Sequence, residues 1–399
     1  MTSPTKTTYS ARWYNRAGIW IGIGVNPASI TLGGSLATRL ENPALLWAVP
    51  LGAFCLWSIC MMAGIIGRRQ RQTFVRWSTA TFGVGVGATL INLSMALGMT
   101  GWVGFQMGLG GTSFANLMGI NNATWIGVVL MGILVLVLGN LEVNKWGWFV
   151  WLTTLSSLTM AVIATIIALQ FNDTLPADPR PATPNAIFSV ITSVIAFASL
   201  FALRSTDFTW DLVSDRDVFI DATIFISVFL VSVTIGVMLF RATGSPDLAV
   251  ALSGTPLALM AKAFLFISLL APALSSMLSG SLAWASIFKI NYRMATVLII
   301  SIGVGLGLVR FDKSLILFLD WLAVIMPPAI AIMLVYGLSK RSFSTKVTLA
   351  GWMIGAAIAI IVKLTGGAFH LAIGAAVGLL VLFVGNAMIK ADENPQLGT

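Results

Sequence analysis

Apolar runs about as long as a bilayer is thick recur along this chain, and they leave few folds open to it. Roughly 20 apolar residues at 1.5 Å rise cover a hydrocarbon core ~30 Å thick. We count twelve such runs, at roughly 18–37, 44–67, 83–113, 122–141, 146–170, 185–203, 217–240, 255–288, 294–311, 313–337, 346–365 and 367–389. The runs are continuous, whereas the strands of a membrane barrel alternate apolar and polar positions. Hydrophobic residues make up 57% of the chain and charged residues 9%, far from a soluble composition. The expectation is an all-α polytopic membrane protein of about 12 transmembrane helices. No cleavable signal is evident, because residues 1–16 are polar and no small-residue cleavage site follows the first run.

The net charge of +9 sits in the short connections between runs. Sixteen basic residues fall on the side of the N-terminus: Lys6, Arg12, Arg16, Arg68, Arg69, Arg71, Arg76, Lys145, Arg204, Arg216, Lys289, Arg293, Lys340, Arg341, Lys346 and Lys390. Six fall on the other side, at Arg39, Arg180, Arg241, Arg310, Lys313 and Lys363, and Lys262 lies inside a run. An excess of Lys and Arg marks cytoplasmic loops. Both termini are therefore expected in the cytoplasm of a cell-membrane protein, and the charge is topogenic rather than a nucleic-acid footprint. Cys55 and Cys60 share one run and read as buried thiols. The expected organisation is a tail (1–17), five spans (18–170), an outer connection (171–184), five more spans (185–337), two additional spans (338–389) and a second cytoplasmic tail (390–399). The connection Phe171–Asn185 carries four prolines, which suits an ordered linker rather than a domain.

Within the first run, Gly18–Ala37, the pair Asn26-Pro27 stands near the middle among Gly22, Gly24, Gly33 and Gly34. Proline lacks an N–H and clashes with the preceding turn, so a regular helix cannot pass through it. Two readings follow: a kink packed against neighbouring helices, or a site whose ligand satisfies the freed backbone near Gly24 and Asn26. The sixth run also degenerates, over Ala196–Thr209, losing its apolar character at Arg204. Interruptions at corresponding places in two halves are the sequence signature of an inverted-repeat transporter. The third run is glycine-rich and sets Trp102 four residues from Gln106, so both face one way. An indole plate beside an amide suits a flat heterocycle, while the bland alternative is a gap-filling Trp and a Gln bonded to a neighbouring helix. Ser275, Ser276, Ser279 and Ser281 in the eighth run either bond back to their own helix or line a polar site. Lys262 in the same run is an ion-coupling candidate or a snorkelling lysine. Asp320 either pairs with Lys313 or Arg310 or relays a proton. His370, the one histidine, reads as structural. No nucleotide-binding, metalloprotease or hydrolase motif is present, so neither an enzyme nor a resident metal or cofactor is expected.

Three stretches resemble the nucleobase–cation symporter family of cytosine, purine, allantoin and hydantoin permeases. They are Gly101-Trp102-Val103-Gly104-Phe105-Gln106, then Leu203–Thr209 followed by Arg216-Asp217-Val218, then Met326-Pro327-Pro328. The resemblance implies an inverted five-helix repeat of the LeuT type plus two C-terminal helices. It implies import of a nitrogen heterocycle by alternating access, coupled to sodium or protons. Carried over by position, Trp102 stacks on the ring and Gln106 bonds its edge. Phe197 or Ala198 takes the place of a second aromatic, and Ser276, beside Ser275, takes that of a substrate-facing asparagine. Leu270 and Ala271 stand where hydroxyls would complete a sodium site, and Tyr336 lies near the place of a missing aspartate. Proton coupling through Lys262 or Asp320 is thus one option and uniport another. An amino-acid or amine transporter of the same fold, and a channel or membrane sensor, are the rival readings. The partners implied are a small heterocycle, a coupling cation and lipid.

Overall fold

The structure, a computed structural model, describes residues 11–140, 147–170, 181–253, 257–339 and 343–393. Residues 1–10, 171–180 and 394–399 of the expected tails and connection lie outside the described residues, as do Lys145, Trp146, Lys340 and Arg341.

Helices α1 (Trp13–Gly24) and α2 (Pro27–Ala37) make the first span. The break falls at Asn26-Pro27, as the sequence requires. Asn26 is extended (ψ 137°), its side-chain oxygen accepts the Ala28 N–H at 3.0 Å, and Pro27 opens α2. A capping Asn followed by Pro at the first helical position starts a helix at no cost in lost hydrogen bonds. The second span is α3 (Asn42–Gln70), followed by the short α4 (Phe74–Phe82) and the third span α5 (Val86–Leu117). The fourth and fifth spans are α6 (Thr124–Gly139) and α7 (Gly147–Gln170). The sixth is α8 (Pro184–Leu203) with the single turn α9 (Ser205–Thr209). Then come α10 (Asp215–Thr243), the short α11 (Leu248–Ala251), and an eighth span split into α12 (Ala258–Ser268) and α13 (Leu270–Phe288). The chain continues through α14 (Tyr292–Leu308), α15 (Leu315–Leu338), α16 (Thr345–Leu364) and α17 (His370–Glu393). Ten of these segments are long and apolar enough to cross a membrane, and α6 and α14 are shorter apolar helices. All twelve expected spans are accounted for.

Three details differ from expectation. The sixth span stays helical through Ala196–Leu203 and is interrupted only at Arg204. No glycine or proline stands between Pro184 and Arg204 to break it earlier. The eighth span is not one helix: Pro272 has no N–H for the Ser268 carbonyl, and the helix breaks at Leu269. The connection after α3 holds α4, whose Phe74, Trp77, Ser78, Thr81 and Phe82 are buried. Those positions follow the i, i+3, i+4, i+7, i+8 pattern of one helix face.

The packing has an internal symmetry. The first span, α1 and α2, lies on the seventh, α10; the sixth, α8 and α9, lies on the second, α3. The fifth span α7 lies on α10, and the tenth, α15, on α3. The third span α5 and the eighth, α13, face each other. Exchanging spans one to five with six to ten therefore maps contacts onto contacts, as an inverted five-helix repeat demands. Helices α16 and α17 stand outside this scheme and pack on each other and on α15. Helices α2 and α10 approach each other closely. There a Cβ on Gly236 would overlap the Ile30 carbonyl, so only glycine lets the two backbones meet.

Candidate functional site

Helix α5 runs through the middle of the molecule, and Trp102 sits near its midpoint, wholly buried. Four phenylalanines surround the indole. Phe197 of α8 meets it edge-on at 5.0 Å between centroids, and Phe318 of α15 does so at 5.6 Å. Phe105, one turn along α5, and Phe201, one turn along α8, complete the cage at 5.8 and 6.1 Å. Edge-on aromatic pairs place positive ring edges on negative faces and are favourable. Phe318 reaches the indole because Gly101 leaves room; a Cβ there would lie 2.5 Å from the Phe318 ring.

The polar groups beside this cage are unusual. The Trp102 indole N–H has no protein hydrogen-bond partner, nor has either end of the Gln106 carboxamide, which is fully buried. The Ser276 hydroxyl of α13 is buried and unpartnered too. It stands one turn from Gly280, whose Cβ position lies 3.0 Å from the Met99 Cβ, so it is level with Trp102 on the facing helix. Leaving a buried amide unpaired costs about 1–3 kcal/mol. These groups lie at one depth, beside flat apolar surfaces.

Other expected residues are placed differently. Asn26 spends its side-chain oxygen capping α2, and its carbonyl accepts the Ser29 N–H at 2.8 Å. Gly24 is a packing glycine, its Cβ position 2.8 Å from the Phe225 carbonyl of α10. Ala198 is buried beside Phe197 but offers no polar atom. The Ser275 carbonyl accepts from Arg204 at 3.4 Å. The glycines of α5 are filled by neighbours: Leu200 covers Gly98, Leu306 covers Gly104 and Asp312 covers Gly108. Lys262 lies seven residues before Leu269, the residue that meets Gly110. It is therefore roughly 15 Å along the helices from Gln106. Asp320 does not pair with Lys313 or Arg310. It pairs with Lys363 of α16 at 3.5 Å, and Arg310 goes to Asp312 at 2.8 Å. Two positions beyond Phe318, Asp320 points away from the cage, toward α16. His370 opens α17 with Nδ1 3.1 Å from the Gly367 carbonyl.

Below the cage, on the face that carries the N-terminal segment, charged residues close the molecule. Arg204 is buried, stacks between Phe201 and Phe208 and approaches Asp207 at 3.9 Å. Asp207 accepts the Phe74 N–H at 2.7 Å, tying α9 to α4. The Ser205 hydroxyl donates to the Cys60 carbonyl and the Thr209 hydroxyl to the Gly64 carbonyl, tying α9 to α3. Arg68 and Arg69 hold Asp215, Arg16 holds Asp211 at 2.6 Å, and Ala11 bridges to Leu212. Beside this latch a small cleft of about 20 Å³ is lined by Asn92, Met95, Arg204, Asp207 and Ser279. The resemblance in Leu203–Thr209 thus falls on the latch, not on the cage.

Scans against protein-family models and against curated protein sequences return no match. Solved structures do match. One is Mhp1, described as a nucleobase-cation-symport-1 family transporter, in a closed conformation with bromovinylhydantoin bound. It aligns with TM-score 0.76 at 16% identity, over 98% of this chain and 96% of that one. The inward-facing conformation of Mhp1 aligns with TM-score 0.78 at 14% identity, over 98% and 95%. A sodium-coupled sialic acid symporter in a substrate-bound outward-open state aligns with TM-score 0.68 at 13% identity, over 96% and 91%. The alignments span nearly the whole of each chain, so the LeuT-type fold that the resemblance implied is the fold of this protein. At these identities the likeness speaks for the fold alone.

Proposed function

We propose that this protein is a secondary transporter that moves a planar nitrogen heterocycle of the nucleobase or hydantoin kind across the cytoplasmic membrane by alternating access. One observation carries the reading: the unpartnered Gln106 amide lies one turn from Trp102 and its ring of phenylalanines, two of them from the interrupted sixth span. A heterocycle supplies what this arrangement lacks, a flat face for the indole and an edge of N–H and C=O groups for the amide and the Ser276 hydroxyl. Base–aromatic stacking contributes on the order of 1–3 kcal/mol per base. That Mhp1 binds a hydantoin in the same fold supports the choice of ligand class.

Trp102 and Gln106 are buried in this state, so the ligand enters only after one side opens. With the basic loops cytoplasmic, the latch at Asp207, Asp211 and Asp215 is the inner gate. Phe318, seated on Gly101, closes the cage on the α15 side. The two halves of the repeat exchange which of these barriers is open, and a coupling cation biases the exchange.

The test is a thermal-shift screen of the purified protein against cytosine, uracil, hypoxanthine, allantoin, hydantoin, pyrimidine-type vitamin precursors and amino acids, with and without sodium. Ligands that bind only the folded state raise Tm by mass action. The expected result is a shift with one or a few heterocycles, lost in Trp102→Ala. Shifts with amino acids or amines alone overturn the heterocycle reading, and ion current without solute uptake in liposomes overturns the transporter reading.

A further inference from the structure

Among the described residues, the buried carboxyl with no hydrogen-bond partner at either oxygen is neither Asp320 nor a loop aspartate. Asp221 lies in the second turn of α10, fully buried, and neither carboxylate oxygen has a hydrogen-bond partner in the protein. Its surroundings are specific. Asp217 and Asp221 are four apart and share a face of α10, as Arg16 and Trp20 share a face of α1. The two faces meet, since the Trp13 N–H donates to Asp217 at 3.2 Å and the Trp20 ring lies 5.9 Å from that of Phe225. The Trp20 indole N–H approaches the Asp221 carboxyl outside hydrogen-bonding geometry and is itself without an acceptor.

The charged and titratable groups of every neighbouring element are otherwise committed. On α1, Arg16 is paired with Asp211 at 2.6 Å, while its Nε has no acceptor. On α10, Asp217 accepts from Trp13 and from the Ser214 hydroxyl, and Asp215 is held by Arg68 and Arg69 of α3. Cys60 of α3 is a buried thiol facing the same region. On α9, Asp207 pairs with Arg204. Helices α2 and α7 also pack on α10, and they carry no ionisable side chain. A buried carboxylate whose nearest donor, the Trp20 N–H, is not bonded to it, and whose nearest cation, Arg16, is paired with Asp211, is disfavoured relative to the neutral acid.

We propose that Asp221 is the proton-binding site that couples transport, carrying a proton while α1 lies against α10 and releasing it when the latch opens. This rests on the transport reading and names its coupling ion. The step balances simply: the O–H bond of the Asp221 carboxyl breaks, the proton passes to water entering from the N-terminal face, and the carboxylate remains. Arg16, one turn from Trp20 with a free Nε, then turns from Asp211 to the new charge. Loss of the Arg16–Asp211 pair unfastens the linker before α10, so proton release and gate opening favour each other. Trp20, on the moving half of the interrupted span, makes the site sensitive to the position of α1.

The first experiment needs no substrate. Infrared difference spectra of the full-length protein in lipid, titrated in H2O and D2O, are expected to show a protonated carboxyl band at neutral pH. The band shifts on deuteration, disappears on alkaline titration and is missing in Asp221→Asn. A wild-type spectrum without that band at neutral pH overturns the proposal, whatever the variant does. The second uses proteoliposomes with a trapped pH dye and whichever of the screened heterocycles raises Tm most. The wild type is expected to alkalinise the side from which substrate leaves and to concentrate it when a pH gradient is imposed. Asp221→Asn is expected to keep substrate exchange but lose gradient-driven accumulation at least tenfold. Accumulation by Asp221→Asn equal to the wild type, or wild-type uptake driven by sodium with no proton movement, overturns the coupling role while leaving heterocycle transport standing. A titrating Asp221 band without transport of any heterocycle supports the proton site and overturns the transport reading instead.

Discussion

Gln106 is the residue at which folding and the proposed function pull apart. Its amide is buried with both ends unpaired, a loss of about 1–3 kcal/mol that a leucine of similar volume would not suffer. Gln106→Leu is therefore expected to raise the Tm of the substrate-free protein. The same change should weaken heterocycle binding tenfold or more and abolish the ligand-induced Tm shift. Two melting curves check it, and a variant that loses stability and keeps binding would assign Gln106 to packing. Trp102→Ala separates the stacking contribution: on the order of 1–3 kcal/mol of binding should go, read as an increase in Kd of roughly five- to 150-fold. Both residues were visible in the sequence because four positions on a helix share a face. Phe105 and Phe201 follow the same rule from Trp102 and Phe197, and that signal was there to be read. Phe318 was not legible, since nothing local in α15 says that Gly101 makes room for it. Asp320 shows the converse. Its partner Lys363 lies on another helix, and the nearby basic residues misdirected the pairing. Asp221 escaped notice because a carboxylate one turn past Asp217 looks like a continuation of the polar loop until its burial is known.

The short helices decide which face is closed. Helix α9 is one turn long, yet four side-chain bonds fix it to α3 and α4 through Cys60, Gly64 and Phe74 and to Arg204. Cys60 lies beneath it, 1% exposed. Breaking the latch should thus uncover that thiol. In a Cys55→Ser background, Asp207→Asn is expected to raise the rate of Cys60 labelling by a membrane-permeant maleimide several-fold, with circular dichroism unchanged. Equal labelling in both proteins would mean that α9 does not move as a gate. The pattern of α4 is as plain as that of any span, but nine residues are too few for a membrane run and too polar to attract attention beside the spans. The interruption at Asn26 was legible because Pro27 forces it. That of the sixth span was legible at Arg204, where the apolar run ends, although the helix stays regular through Ala196–Leu203. The kink at Leu269 needed only Pro272 and the carbonyl four residues earlier.

For the molecule as a whole, the proposed alternating access requires that the N-terminal face come apart while the cage persists. The segment before α1 and the linker before α10 are the parts that must separate, and they touch at the single bridge between Ala11 and Leu212, where the Val213 N–H donates to the Ala11 carbonyl at 3.1 Å. Residues paired in this way have Cα atoms within the 4.4–6.8 Å that a disulfide spans. In a protein whose native Cys55 and Cys60 are replaced by serine, the pair Ala11→Cys with Leu212→Cys is expected to cross-link on mild oxidation. The cross-link fastens α1 to α10 and keeps Arg16 on Asp211. Heterocycle uptake into proteoliposomes should fall below a tenth of its reduced value and return when the bond is reduced. The reversal also shows that the substitutions have not unfolded the chain. Binding measured by thermal shift should survive oxidation, because the opposite face can still open at Phe318. Undiminished uptake through the cross-linked protein would place the moving boundary elsewhere and remove the latch from the mechanism. Loss of binding together with uptake would instead join the latch and the cage into one rigid unit, and the two halves would not rock about the site at Trp102.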